Sequence, residues 1–287
     1  MSASALELDL SSDARPESSS RRRSVTGVLG ALILGALVLA SVLAPLLVSQ
    51  SPLEQDLGAV LQPPSAAHWF GTDDLGRDLL SRVLYGGRTA LSVTLAASVV
   101  AALIGVTLGL IGALFKGWPD VVAGRLADVQ LAIPTIVLAL VILSFVGNSI
   151  GPLVVVLVAG SWVLTFRVIR GHAQSIVNQP YIEAARLSGL RRWQIAIQHL
   201  VPSVLPLLAV AFTLNASAIL LLESSLGFLG LGVQPPTADW GAMVAQGQAR
   251  LDSAPWVALF PGGVLILAIV SFQLIGDALA DRFGART

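Results

Sequence analysis

Reactive chemistry needs groups that hold or move a proton, an electron pair or a metal, and this chain brings few of them together. The three histidines, His68, His172 and His199, are far apart and show no metal-ligand spacing. There is no cysteine, so disulfides, thiolate catalysis and cysteine metal sites are excluded. Asp73, Asp74 and Asp78 could hold a cation, but Arg77 and Arg82 stand among them. The better reading is a local ion-pair network or the capped start of a helix. Lys116 is the sole lysine, within Leu114-Phe115-Lys116-Gly117. It has neither the preceding glycine nor the following Ser or Thr of a phosphate-binding loop. Leu187-Ser188-Gly189-Leu190 is a chance likeness to an ATPase signature. Nothing resembles a nucleophile–base pair. The reading is that the chain is not an enzyme.

The residues that do form a pattern suit docking rather than catalysis. They are Glu183-Ala184-Ala185-Arg186-Leu187-Ser188-Gly189. Pro180 fits a first helical turn, where its missing N–H does no harm. Glu183 in that turn is favoured by the helix dipole. Ala184 and Ala185 form helix with minimal bulk, and Gly189 is a natural stop. Leu190, Trp193, Ile197 and Val201 then recur at spacings of three and four, and Pro202 and Pro206 follow. The expectation is a short helix, a bend and a second short helix. The small alanine pair lets a partner surface approach closely, and seating a short helix in a groove is a common way to join two proteins.

The elements that must carry this handle span a membrane. The chain of 287 residues is 55% hydrophobic and 12% charged, with mean hydropathy +0.81. Soluble domains carry about 25% charged residues. Net charge is zero, so no bulk attraction to nucleic acid is implied. Residues 1–23 are rich in Ser, Asp, Glu, Arg and Pro and read as a disordered tail. The apolar run 25–48 after Arg21-Arg22-Arg23 exceeds a signal core of about 7–15 residues, so it reads as a first span. Five further runs are long enough to cross: 89–115, 126–146 with Pro134 inside, 152–169, 206–228 and 257–279.

Orientation follows the basic residues. With the amino terminus in the cytoplasm, Arg15, Arg21, Arg22, Arg23, Lys116, Arg125, Arg167, Arg170, Arg186, Arg191, Arg192, Arg282 and Arg286 fall inside. Only Arg77, Arg82, Arg88 and Arg250 fall outside. That distribution obeys the positive-inside rule and places both termini and the Glu183–Gly189 stretch in the cytoplasm. Residues 24–88 form the first span plus an external segment. Residues 89–282 form a membrane core with a cytoplasmic loop at 171–205, and 283–287 are a short tail. A second external segment covers 231–256. Gly105 and Gly109 form a GxxxG pair that permits close helix packing, in this chain or against another. Asp128 is expected to pair with Arg125 one turn earlier, and His68 beside Trp69 to be interfacial. Glu223 lines a pathway or serves a structural role. Asp277 and Asp281 read as solvated helix-end charges.

Taken together, these residues resemble a known family. Glu-Ala-Ala, three residues, Gly, then about twelve residues to Pro202 is similar to the cytoplasmic loop of inner-membrane permeases of ABC importers. Phe70 to Asp78, Leu226 to Pro236 and Ser253-Ala254-Pro255-Trp256 resemble the dipeptide/oligopeptide/nickel permeases, and within them the second, C-type subunit. His199 and Val201 stand where that loop more often has Ile and Leu. The resemblance covers roughly residues 25–282. It implies an all-α membrane protein of the type I importer permease fold, with six transmembrane helices. It implies a second homologous permease subunit, two ABC ATPase subunits or domains carrying ATP and Mg, an extracytoplasmic solute-binding protein and a peptide substrate. It carries Glu183, Ala184, Ala185 and Gly189 over as ATPase-coupling residues, with no cofactor or metal in this chain. It implies a multi-pass protein of the bacterial cytoplasmic membrane, in contact with lipid and not with nucleic acid. Nickel or another small solute is the alternative within the family. A self-sufficient secondary transporter is the rival from another class. It should show paired ionisable groups at mid-membrane or broken helices in matching halves.

Overall fold

The structure is a computed structural model, which describes residues 18–115 and 117–284, with side-chain surroundings from Val25 onward. Residues 1–17 of the expected tail, Lys116 and residues 285–287 lie outside the described residues. Among the described residues the elements are helical, and no strand occurs beyond one isolated bridge, Thr72 to Asp78. The helices are α1 (Ser18–Val42), α2 (Leu79–Leu114), α3 (Trp118–Ala132), α4 (Thr135–Val146), α5 (Ile150–Val177), α6 (Pro180–Leu187), α7 (Arg192–Phe228), α8 (Trp240–Gln248) and α9 (Trp256–Gly284). Five of them, α1, α2, α5, α7 and α9, are long and apolar enough to cross a membrane, and α3 with α4 makes a sixth if the pair is one span.

The third span departs from expectation. The sequence predicts one span over 126–146, but α3 and α4 meet at an 89° bend. Pro134 supplies no N–H and pushes the preceding residue out of helical geometry; Ile133 is extended, at φ −102 and ψ 122. Helix α2 also differs, starting at Leu79 instead of Thr89. Asp78 caps it, accepting a hydrogen bond from the Ser81 N–H at 2.8 Å. Its 36 residues extend about 54 Å at 1.5 Å per residue, against a hydrocarbon core of about 30 Å. The helix is therefore longer than the apolar layer it would cross. In α7 the expected second short helix runs on into the next span as one helix. A single wide π turn, Ala196–Leu200, precedes the prolines, and Pro202 and Pro206 are carried inside one continuous helix. Local π adjustment and neighbouring helices satisfy the backbone groups that proline frees.

Packing in lipid relies on close contact more than on expulsion of water. The GxxxG pair shows this within the chain. A Cβ on Gly105 would lie 2.7 Å from the Thr165 Cβ, and one on Gly109 would lie 3.0 Å from the Arg170 N. Helices α2 and α5 thus meet backbone to backbone. Around that seam, Val93, Ala97 and Ala101 of α2 bury against Leu143 of α4, Leu153 and Leu157 of α5, and Ile219 and Leu226 of α7. Helix α1 lies along α9, leaving Leu32 and Leu39 outward.

The segment between α1 and α2 folds tightly with only two short helical turns, Ala44–Leu47 and Leu57–Ala59. Asp73 accepts from Leu75 N–H, Arg77 N–H and Arg77 Nε, at 2.9, 3.0 and 2.7 Å. Arg82 Nε lies 3.3 Å from the same carboxylate, Arg250 pairs with Asp74, and His68 Nδ1 lies 3.0 Å from Asp78. The three aspartates therefore serve ion pairs and a helix cap. Phe70 stacks on Phe260 at 4.1 Å, which holds the segment against α9.

Candidate functional site

Helix α6 forms where the sequence predicts it. Gln179 is extended (φ −75, ψ 145), Pro180 opens the helix, and Glu183 lies in its first turn. The carboxyl-terminal end is closed by two interleaved bonds, Leu190 N–H to Ala185 O at 3.1 Å and Gly189 N–H to Arg186 O at 3.0 Å. This is the Schellman arrangement, which needs a left-handed residue at its corner. Gly189 supplies it, at φ +86. The following turn begins at Arg191, whose N–H donates to Gln194 Oε1 at 2.7 Å.

The handle is anchored by other residues than the regularly spaced set. Of Leu190, Trp193, Ile197 and Val201, Trp193 and Ile197 are exposed. Ile182, Ile195, Leu200 and Val204 are the buried residues. The physical reason is that α7 has no break, so its inward face is set by the phase of the long helix, not by a separate short one. Tyr181 meets His199 edge-on at 5.9 Å, and the Arg192 guanidinium lies 5.1 Å from the Phe115 ring centre. Gln174 donates to Asp120 at 3.4 Å, and Arg170 holds the same carboxylate with two bonds at 2.5 and 2.6 Å. The α6–α7 corner is thus tied to the α2–α3 turn.

The structure brings Glu183, Ala184, Ala185 and Gly189 into one element. Glu183, Ala184 and Gly189 are exposed and Ala185 is half-buried. Tyr181, Leu187, Trp193 and Ile197 surround them as exposed apolar side chains, with Leu187 at 85%. A cavity of about 390 Å³ opens between Val177, Asn178, Gln179, Glu183, Arg186 and Leu187. Small, charged and apolar groups share one exposed corner, and no reactive pair is among them.

Two side-chain arrangements escaped the sequence reading. Asp128 pairs with Arg167 of α5 at 2.7 Å and not with Arg125, because α5 brings a guanidinium alongside α3. At the opposite end of α7, Glu223 is fully buried and interacts with Asp239, the cap of α8. This favours the structural of the two roles left open for Glu223. Ser224 Oγ donates to Glu223 at 3.1 Å, and the Ala242 N–H donates to Asp239 at 3.0 Å. Burial pushes the Asp239 carboxyl above its ordinary value, against the lowering effect of hydrogen bonds from Glu223 and the Ala242, Gly241 and Trp240 amides. The Asp239-Trp240-Gly241 capping pattern was the available signal. Trp240 itself is buried and donates from Nε1 to the Val83 carbonyl at 2.8 Å.

Comparison with known proteins agrees with this architecture. Residues 105–287 match the model of the binding-protein-dependent transport system inner membrane component, and residues 22–64 match the N-terminal TM domain of oligopeptide transport permease C. The chain is 36% identical over 260 residues to the dipeptide transport system permease protein DppC of Alkalihalophilus pseudofirmus, covering 91% of this chain and 86% of that protein. It is 36% identical over 226 residues to the glutathione transport system permease protein GsiD of Pectobacterium atrosepticum, covering 79% and 75%. In fold it resembles a chain of the inward-facing MetNI methionine ABC transporter, with a TM-score of 0.55 at 19% identity, covering 71% of this chain and 95% of that one. The family match over residues 105–287 and relatives 36% identical over most of the chain place it in the family of binding-protein-dependent transport system inner membrane components, among the ABC transporter permeases.

Proposed function

We propose that this chain is one permease subunit of an ATP-driven importer of short peptides in the bacterial cytoplasmic membrane. Its partners are a second, homologous permease, two ABC ATPase subunits or domains that bind ATP and Mg, and an extracytoplasmic protein that delivers the peptide. The amino terminus and the α6–α7 corner face the cytoplasm, following the basic residues. The observation that carries the reading is the exposed corner at Glu183–Gly189, rigidly closed at Gly189 and tied to α5 and α7. Moving a two-state pathway from 1:99 to 99:1 takes about 5.5 kcal/mol of differential binding. A closed helix packed through Ile182 and Ile195 transmits such a load, whereas a mobile loop would dissipate it. The dipeptide permease among the relatives supports peptide as the solute, and the glutathione permease keeps the solute within the same chemistry.

The test is reconstitution of the complex in vesicles. ATP hydrolysis should appear only with the ATPase partners present and rise with peptide-loaded binding protein. Scrambling residues 181–189 should abolish uptake while the spans stay folded. Normal uptake by that variant refutes the coupling role.

A further inference from the structure

Two cavities in the structure share a wall. One, of about 450 Å³, is lined by Asp120, Arg125, Asp128, Arg167 and Arg170 among others, at the end of α5 nearest the handle. The other, of about 410 Å³, is lined by Thr135, Ser161, Leu164, Arg167, Asn215 and Ala218 among others. Both volumes fall in the range of small-molecule sites, about 300–1,000 Å³. Arg167 borders both, so the two adjoin along α5 as neighbouring parts of a groove. The groove opens where the α3–α4 break separates Leu131 from Thr135. Arg167 lies ten residues before the end of α5 at Val177, about 15 Å into the helix. An ionisable group set back from the helix end and half exposed on a cavity wall is placed to meet a solute moving along that wall. Further along the groove the wall is uncharged and mostly apolar, with Thr135, Ser161 and Asn215 as its polar members. Asn215 is buried and donates to the Ser161 carbonyl at 3.1 Å.

We propose that this groove is the part of the solute path contributed by this chain, and that the Arg167–Asp128 pair receives the two charged ends of a zwitterionic peptide. The inference rests on the peptide-importer reading above. The guanidinium takes the peptide carboxylate, and the Asp128 carboxylate takes the ammonium. Between passages the two side chains satisfy one another at 2.7 Å, each about half exposed, so neither charge is stranded. Arg170 cannot serve in this way, because Asp120 holds it with two bonds. Arg125 lines the same cavity with no ion pair among the described residues and adds attraction for the carboxylate. One contact pair recognises what all short peptides share and leaves their side chains to the uncharged wall.

The absence of cysteine makes the test direct. In the assembled complex in vesicles, Leu164→Cys and Ala218→Cys should react with a membrane-impermeant maleimide, and Leu103→Cys on α2 should not. Turnover of dialanine should slow the first two reactions about tenfold. Arg167→Gln should lower dialanine uptake about tenfold or more, the worth of one hydrogen bond to a charged group. It should leave uptake of dialanine amide, which has no carboxylate, as in the parent complex. Arg167→Lys should recover part of the dialanine rate. Equal losses on both peptides, or groove thiols that react only with a lipid-soluble maleimide, overturn the proposal while leaving the importer reading intact. A complex that carries no dipeptide at all, yet labels at 164 and 218, sinks the peptide reading and leaves the groove as a watered path.

Discussion

Gly189 holds a backbone angle of φ +86 with no atom within 4 Å of where a Cβ would stand. The cost of a side chain there is purely conformational, about 1–2 kcal/mol. Gly189→Val should therefore loosen the α6–α7 corner and lower coupled uptake, with a melting temperature in detergent close to that of the parent. Ala184 is exposed, so Ala184→Trp should be neutral for folding, within about 0.5 kcal/mol. Its added bulk should block the docked partner, which uptake measured beside ATP hydrolysis will read. The buried Asp239 carboxyl supplies a pH test. Because its folded value is raised above the ordinary 3.8, the folded protein binds that proton more tightly than the unfolded chain. Stability from this group is thus lost as pH rises from 3.8 through the raised value. Asp239→Asn keeps a capping oxygen and removes the charge, so its melting temperature should fall less over that window. A variant that tracks the parent at every pH would falsify the shift.

Helix contacts explain which expectations held. Gly105 and Gly109 were legible as a packing face, because small residues four apart permit close approach whatever the neighbour. The neighbour itself, α5, was not legible, since it depends on chain topology. Gly105→Leu should drive a side chain into Thr165 and Phe166, costing about 1–3 kcal/mol or more. Thermal unfolding of the purified chain measures it. Asp128 shows the same limit. One turn along its own helix Arg125 was in reach, but Arg167 approached from a helix thirty-nine residues away in sequence. Pro134 was seen inside an apolar run, yet proline in a membrane helix can bend or break it, and only the packing of α3 and α4 decides on 89°. The amino-terminal turns of α2 are not legible from an uncharged run, because Arg82 and Arg88 interrupt it, although a helix can outrun the membrane it crosses.

For the molecule as a whole, membrane crossing and the projecting corner could be read from composition and from residues 180–189. The second buried linkage, at the far end of α7, could not, because Glu223 and Asp239 meet only through the fold. Orientation is open to a direct measurement. With no native thiol, Ser188→Cys and Gln234→Cys should label from opposite faces of sealed vesicles, and labelling from one face refutes the assigned topology. One mechanical outcome comes from α7 having no joint. Its 37 residues extend about 55 Å, from beside the handle to just past Glu223, which neighbours Asp239. A swing of about 5° pivoted at one tip sweeps the other through roughly 5 Å, close to one helical pitch.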